Sequence, residues 1–330
     1  MDRRQMIGLG LLGAGVLGSR AGAQPTRGGS APIDSDEVIA LWPGVPPGGP
    51  VAPLTSTITD RSPTPELYRM RSISGIQAPT LQVYRPVKPN GMALLVIPGG
   101  GYLNEGIERG GTELTARFTQ DGVTCFILRY RLPGEGWANR ADVPLQDAQR
   151  SMRLIRAKAA TYGIDPARIA VVGCSAGGHL AASLATRWDA KVYAPVDAAD
   201  ALNARPMAAC LMYPVITMGR GAHGGSRDRL LGPAPTATQI DAYSCERHVR
   251  ADGTPSFICT AMDDNVVPPV ENSLAMFAAL NAAGVNTELH AFQQGGHGFS
   301  IRGTVGKPCA AWPDLFLTWA ATQGFTPRQV

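Results

Sequence analysis

A serine hydroxyl forms covalent intermediates when a nearby base takes its proton and a carboxylate holds that base in the right tautomer. Ser175 stands where such chemistry is possible. It lies in Gly173-Cys174-Ser175-Ala176-Gly177, directly after the β-branched run 168–172 and at the head of the Ala- and Leu-rich stretch 175–186. A strand that turns at once into a helix crowds the turning residue, and glycines two positions before and two after remove the crowding. The strained turn lifts the hydroxyl above the sheet edge with the start of the new helix behind it, which is the G-x-S-x-G nucleophile elbow. The rival reading, a glycine-rich turn with an incidental serine, explains neither the strand before it nor the helix after it.

In folds with this turn the partners follow in the chain order serine, acid, histidine. Five histidines compete. His179 lies four residues after Ser175 on the same helix, a packing or hydrogen-bonding position. His223 and His248 fall in or beside an irregular segment, and His290 precedes a strand end. His297 sits in Gln294-Gly295-Gly296-His297-Gly298-Phe299, after the last strand-like run, where three glycines let a loop turn an imidazole inward. It is the expected base.

The acid is expected from Asp263-Asp264, just past the apolar run 256–261 and before Pro268-Pro269. Adjacent residues at a strand end point apart, so one of the two faces the site. Asp264 is taken as that acid, with Asp263 the alternative; the other carboxylate is solvated or bonds nearby backbone. A tetrahedral oxyanion also needs N–H donors already aimed at it. Val96-Ile97-Pro98-Gly99-Gly100-Gly101-Tyr102 follows a strand-like run, and its glycines let amides approach a carbonyl oxygen. Gly100 and Gly101 are the expected donors, together with Ala176 behind the nucleophile. A phosphate loop would end in Gly-Lys-Ser/Thr, which this stretch lacks.

These residues need a scaffold. Strand-like runs recur at 67–73, 81–85, 93–97, 124–130, 168–172, 208–213, 256–261 and 287–292, and helical spacing of apolar residues marks 112–120, 145–162, 175–186, 270–283 and 311–322. The alternation predicts an α/β fold, a mostly parallel sheet of about eight strands with helices on both faces. Segment 215–254 departs from it, with Gly221, Gly224, Gly225, Pro233 and Pro235 among short apolar runs. Long irregular insertions in compact domains are usually functional, and this one reads as a small cap over the site.

The chain has 330 residues and a formal charge of +4 without a basic stripe, so it carries no nucleic-acid footprint. Arg3-Arg4 precede an apolar, glycine-rich run at 7–18, and Ala21-Gly22-Ala23 is a small-x-small cleavage pattern. The expectation is a signal peptide over 1–23, of the twin-arginine kind although Asp2 stands where Ser or Thr is usual, with a general secretory signal as the fallback. The run is shorter than the ~20 residues of a membrane span, so a periplasmic or secreted protein with no membrane insertion is expected. Losing Asp2, Arg3, Arg4 and Arg20 lowers the charge from +4 to +2. Residues 24–66, rich in Pro, Gly, Ser and Thr, read as an N-terminal arm, and 67–330 as one domain carrying the cap. The six cysteines form no C-x-x-C pair and no cluster with the histidines, so neither metal nor cofactor is expected. Cys125, Cys174, Cys210 and Cys259 are expected as buried thiols. Cys245 and Cys309 fall in loops, where an oxidising compartment would permit a bond tying the cap to the last helix.

Leu41-Trp42-Pro43-Gly44, Pro98-Gly99-Gly100-Gly101-Tyr102, Arg129-Tyr130-Arg131-Leu132-Pro133, the run 144–150 (PLQDAQR), the run 163–182 (GIDPARIAVVGCSAGGHLAA), DDNVVP and GGHGF together resemble the α/β-hydrolase superfamily over about residues 41–319. The likeness is to bacterial feruloyl-esterase-like and acetylxylan-esterase-like, xylanase-associated serine esterases. It implies Ser175 as nucleophile, His297 as base, Asp264 as orienting acid and Gly100, Gly101 and Ala176 as oxyanion donors, with Asp147 supporting the elbow region. Lipases have His-Gly-Gly-Gly at the oxyanion loop; Pro98 in the His place matches the xylan-esterase-like branch. The expected function is therefore an exported serine esterase working through an acyl-enzyme. Acyl transfer follows from the residues, whereas removal of acetyl groups from plant-polysaccharide sugars such as acetylated xylan follows from the resemblance. Alternatives are a broad short-chain carboxylesterase and a non-catalytic carbohydrate-binding relative, which would be free to lose the constellation this chain retains.

Overall fold

Strands covered on both faces need apolar side chains at every position, and 93–97, 125–128 and 169–172 supply them in unbroken buried runs. A computed structural model describes residues 34–327; the expected signal peptide and the start of the arm lie outside the described residues. In chain order the elements are β1 (Val38–Ala40), β2 (Thr57–Asp60), β3 (Arg71–Ser74), β4 (Thr80–Tyr84), β5 (Ala93–Ile97), β6 (Glu105–Gly106), α1 (Glu113–Phe118), β7 (Thr124–Arg129), α2 (Val143–Ala157), α3 (Ala159–Tyr162), β8 (Ile169–Cys174), α4 (Ala176–Arg187), β9 (Ala209–Met212), α5 (Gly224–Leu231), α6 (Ala237–Tyr243), β10 (Ser256–Ala261), α7 (Ala275–Ala282), β11 (Thr287–Phe292) and α8 (Trp312–Thr322).

The main sheet has eight strands in the order β1-β4-β7-β5-β8-β9-β10-β11. From β7 to β11 all pairings are parallel, and β4 and β1 close one edge antiparallel. Side chains alternate across a strand, which splits the core. Leu95, Phe126, Val171, Leu211 and Ile258 turn toward α2, α4 and α7. Leu94, Ile127, Val172, Met212 and Phe257 turn toward α1 and α8. In parallel sheets the carboxyl ends of the strands form the ligand crevice. Five adjacent strands here, β5, β8, β9, β10 and β11, deliver their ends to one rim.

Four sequence expectations change. The run 67–73 yields only β3, which joins β2 and β6 in a separate antiparallel sheet. The eighth strand of the main sheet is β1, from the stretch read as an arm, and Leu41 and Trp42 after it are buried. What fixes this segment is tertiary: Trp42 Nε1 donates to Asp147 Oδ1 at 2.9 Å, and Arg150 Nε donates to the Leu41 carbonyl at 2.9 Å. Composition alone does not report such anchors, so the domain reaches ahead of residue 67.

The cap shrinks. Val215, Ile216, Met218, Leu230, Leu231 and Cys245 belong to the core on the α4 side, so most of 215–254 is scaffold. The part beside the cleft is His223 and α5, through His223 and Arg229. The bond considered between Cys245 and Cys309 does not form. Cys245 packs with α4, its Sγ 3.4 Å from Ser183 Oγ, whereas Cys309 lies in the core under α8, with the sheet between them. All six cysteines are free and buried.

Candidate active site

The end of β8 and the start of α4 meet at Ser175, whose backbone adopts φ 57° and ψ −119°. A non-glycine residue held there stores strain, of order 1–3 kcal/mol, that the surroundings must impose. The flanking glycines show how. A Cβ on Gly173 would lie 2.2 Å from the Gly177 carbonyl oxygen, and one on Gly177 would lie 2.3 Å from that of Ile97. Only hydrogen fits at either position, so the helix can start against the sheet and hold the serine above it.

Ser175 Oγ lies 2.8 Å from His297 Nε2, and His297 Nδ1 lies 2.7 Å from Asp264 Oδ2. The second oxygen of Asp264 accepts from the N–H groups of Val266 at 2.9 Å and Val267 at 3.0 Å. Burial alone would raise the Asp264 pKa; the bonds from His297 and these amides outweigh it and hold the carboxyl below its ordinary value. An ionised carboxylate fixes the proton on Nδ1, leaving Nε2 free to accept from the serine. Asp263 turns away, and its Oδ1 accepts from Gly295 N at 2.9 Å and Gly296 N at 2.7 Å, bracing the loop that carries His297. The Tyr213 ring meets the imidazole edge-on, with centroids 5.1 Å apart.

These side chains open into a cavity of about 400 Å³ whose walls include Gly99, Gly100, Gly101, Tyr213, His223 and Arg229. Gly100 has φ +144°, and a Cβ there would fall 2.1 Å from the Asn104 carbonyl oxygen, so the loop can expose its amides only with glycine. The Ala176 N–H opens α4, where the first amides have no intrahelical acceptor. Gly100 and Gly101 line the cavity beside Ser175, and Ala176 follows the serine as the first residue of α4. Cys174, beside the serine, is no rival nucleophile, because burial pushes its thiol up to about 12.

Several supporting residues escape the sequence reading. Glu105 follows the glycine loop and is fully buried; its Oε1 accepts from Tyr130 N at 2.6 Å and its Oε2 lies 3.4 Å from Arg129 Nη1. Burial pushes this carboxyl up to about 8 against the opposing pull of Arg129. Tyr130 also donates through its hydroxyl to the Pro98 carbonyl at 3.0 Å. Tyr102 donates to His179 Nδ1 at 2.8 Å, and His179 Nε2 donates to the Tyr243 carbonyl at 2.8 Å. The glycine loop is therefore tied to β7, α4 and α6 by contacts that no short-range pattern encodes. His223 accepts at Nδ1 from Ser226 N at 3.2 Å, capping α5. Among the described residues no cluster of His, Cys, Asp and Glu could hold a metal ion.

The BD-FAE family model matches residues 81–280, from β4 through α7. The chain belongs to the BD-FAE family. Endo-1,4-beta-xylanase B of Butyrivibrio fibrisolvens is 36% identical over 209 residues, 63% of this chain and 32% of that one. Acetylxylan esterase of Xylanibacter ruminicola is 31% identical over 222 residues, 66% of this chain and 43% of that one. This BD-FAE chain thus spans about a third to less than half of the length of those relatives. Among solved structures, the acetyl ester-xyloside bifunctional hydrolase of Caldicellulosiruptor lactoaceticus superposes with a TM-score of 0.74 at 29% identity, covering 89% of this chain and 98% of that one. The BD-FAE chain has the α/β-hydrolase fold of its structural neighbours, and its relatives include proteins named as carboxylic ester hydrolases.

Proposed function

We propose that this protein is an exported serine esterase that removes acetyl groups from plant-polysaccharide sugars such as acetylated xylan through an acyl-enzyme on Ser175. The observation that carries the reading is the unbroken chain from Ser175 Oγ through His297 to Asp264, at 2.8 and 2.7 Å, mounted on a strained elbow facing a glycine loop. Ser175 Oγ attacks the ester carbonyl as His297 Nε2 takes its proton. The carbonyl oxygen becomes an oxyanion received by the amides of Ala176 and of Gly100 and Gly101. His297 then returns the proton to the departing sugar oxygen, the C–O bond breaks, and the acyl group stays on Ser175. Water repeats the sequence: His297 takes its proton, the acid leaves and the serine hydroxyl is restored.

The acetyl and xylan parts draw support from the relatives named as acetylxylan esterase and acetyl ester-xyloside hydrolase. Export draws support from Arg3-Arg4, the apolar run 7–18 and Ala21-Gly22-Ala23. No described helix is long and apolar enough to cross a membrane. Acetylated xylan is the test substrate: the full chain is expected to release acetate from it and Ser175→Ala to release none. Turnover of p-nitrophenyl acetate without release of acetate from the polysaccharide would instead favour the broad short-chain carboxylesterase.

A further inference from the structure

Several arginines of this chain are matched to acids, as Arg71 is to Glu108, Arg131 to Asp147 and Arg150 to Asp200. Two in the wall of the catalytic cavity are not: Arg109 and Arg229 form no ion pair among the described residues. Arg229 Nη1 donates to the Gly225 carbonyl at 2.9 Å, within α5. Arg109 is exposed. The Tyr68 hydroxyl lies close to it and stays neutral, burial raising its pKa. Glu113, also close to Tyr68, accepts from the amides of Ile301 and Arg302 at 3.3 and 3.2 Å. No Asp or Glu lines the cavity. The Asp264 carboxylate stands behind His297, wholly buried, so it offsets one positive charge without offering an oxygen to the cavity.

The segment that carries Arg109 is held on both sides. Glu108 accepts from Arg71 N and Nε, each at 2.7 Å, and Gly110 N donates to Ser300 Oγ at 3.3 Å. Between them Arg109 leaves the helical conformation, with φ −69° and ψ 119°. A Cβ on Gly298 would lie 3.3 Å from Arg109 Nη1, so the guanidinium rests against the residue that follows His297. Since His297 returns its proton to the departing oxygen, Arg109 stands on the side of the leaving unit. The wall of the cavity therefore offers positive charge and donors, which attract an anion and repel a cation. A neutral sugar would use a guanidinium only as a donor to hydroxyls, whereas a carboxylate matches its planar fork with two parallel hydrogen bonds.

We propose that Arg109 selects acidic glycan esters, its guanidinium pairing with the carboxylate of a uronic acid unit in the alcohol half of the ester while Arg229 adds to the attraction. This rests on the esterase reading for the reaction, and it names the charge of the group that leaves. Arg109 acts as a specificity residue: it meets the substrate and takes no part in proton transfer.

Two acetyl esters that differ only in charge, 3-acetoxybenzoate and 3-acetoxybenzamide, test this with the full-length chain. At about 0.01 M salt kcat/KM is expected to favour the benzoate about tenfold or more, as a hydrogen-bonded charge predicts. The preference should fade toward about 1 M salt, where the screening length drops from ~30 to ~3 Å. Arg109→Gln should lower the ratio about tenfold, mainly through KM, and Arg109→Lys, which keeps the charge without the fork, should restore its salt-dependent part. The same glutamine variant should lose more kcat/KM on an acetylated xylo-oligosaccharide bearing a glucuronate than on one without it. A wild type that does not favour the benzoate, or a ratio indifferent to Arg109→Gln, overturns the assignment. So does a preference for charge on the acyl side alone, read from p-nitrophenyl hemisuccinate against p-nitrophenyl butyrate. Should the wild-type chain cleave no acyl ester, the esterase reading falls instead. Titration of the two uncleaved probes into Ser175→Ala protein then still decides whether the cavity prefers the anion.

Discussion

Asp263 and Asp264 are neighbours in sequence with different partners. Asp264 holds the His297 ring, and Asp263 holds the backbone of the loop beneath it. Asn in place of Asp264 can donate to Nδ1 and so favour the wrong tautomer, a change that lowers kcat by roughly 10⁴ in a serine protease. Asp264→Asn should therefore cost on the order of 10³–10⁴ in kcat on p-nitrophenyl acetate. Asp263→Asn keeps an oxygen for both glycine amides and should cost about tenfold or less. Comparable losses, or the reverse order, would move the orienting role to Asp263. Ser175 and His297 are legible in the sequence because their local geometry demands glycines: Gly173 and Gly177 have no room for a Cβ, and residues 295–298 place three glycines around the imidazole. Glu105 is not legible, since its meaning depends on Tyr130, 25 residues away. The same holds for Tyr213, which gains its place only when β9 lies between β8 and β10.

At the scale of elements, α4 does more than begin behind Ser175. His179, in its first turn, joins it to the glycine loop through Tyr102 and to the end of α6 through Tyr243. Burial lowers the His179 pKa from its ordinary 6.5 to about 4, with the Tyr243 carbonyl opposing the shift. The folded protein keeps this ring neutral while the unfolded chain protonates it below about 6.5, so the unfolded state binds more protons between the two values. The stability linked to His179 is complete above pH 6.5 and declines as pH falls toward 4. Thermal unfolding of the wild type should thus lose midpoint more steeply between pH 7 and pH 4.5 than His179→Gln; parallel curves would contradict the linkage. The central strands were readable because full burial makes them continuous apolar runs. The helix expected over 145–162 instead breaks at Lys158 into α2 and α3, a boundary that apolar spacing blurs.

At the scale of the molecule, a buried ionic cluster joins segments far apart in the chain. Arg131 reaches Asp147 through its backbone N–H at 2.9 Å and through Nε and Nη2, the two side chains being wholly buried. Trp42 donates to the same carboxylate, and Arg131 Nη1 donates to the Pro47 carbonyl at 2.6 Å. The N-terminal stretch is thereby pinned to the helix before the elbow strand, which is why a Pro- and Gly-rich segment with little periodicity becomes part of the domain. Removing one partner of a buried ion pair strands the other. Asp147→Ala should lower the unfolding free energy by about 3–5 kcal/mol in urea, whereas a loss under about 1 kcal/mol would show the cluster to be dispensable. The parallel order and both covering layers follow from alternating strand and helix runs. The edge strand β1 and the side sheet β2-β3-β6 do not, because short, half-exposed strands leave a pattern too brief to read.

The central claim is that Ser175 forms the covalent bond, and a fluorophosphonate ester tests it most directly by transferring its phosphonyl group to an activated serine with loss of fluoride. Peptide mass spectrometry of the treated full-length chain is expected to find the phosphonyl group on Ser175, with esterase activity lost in step with labelling and no label taken up by Ser175→Ala. A chain that hydrolyses esters while Ser175 stays unlabelled, or that is inactivated through a different residue, would contradict the account.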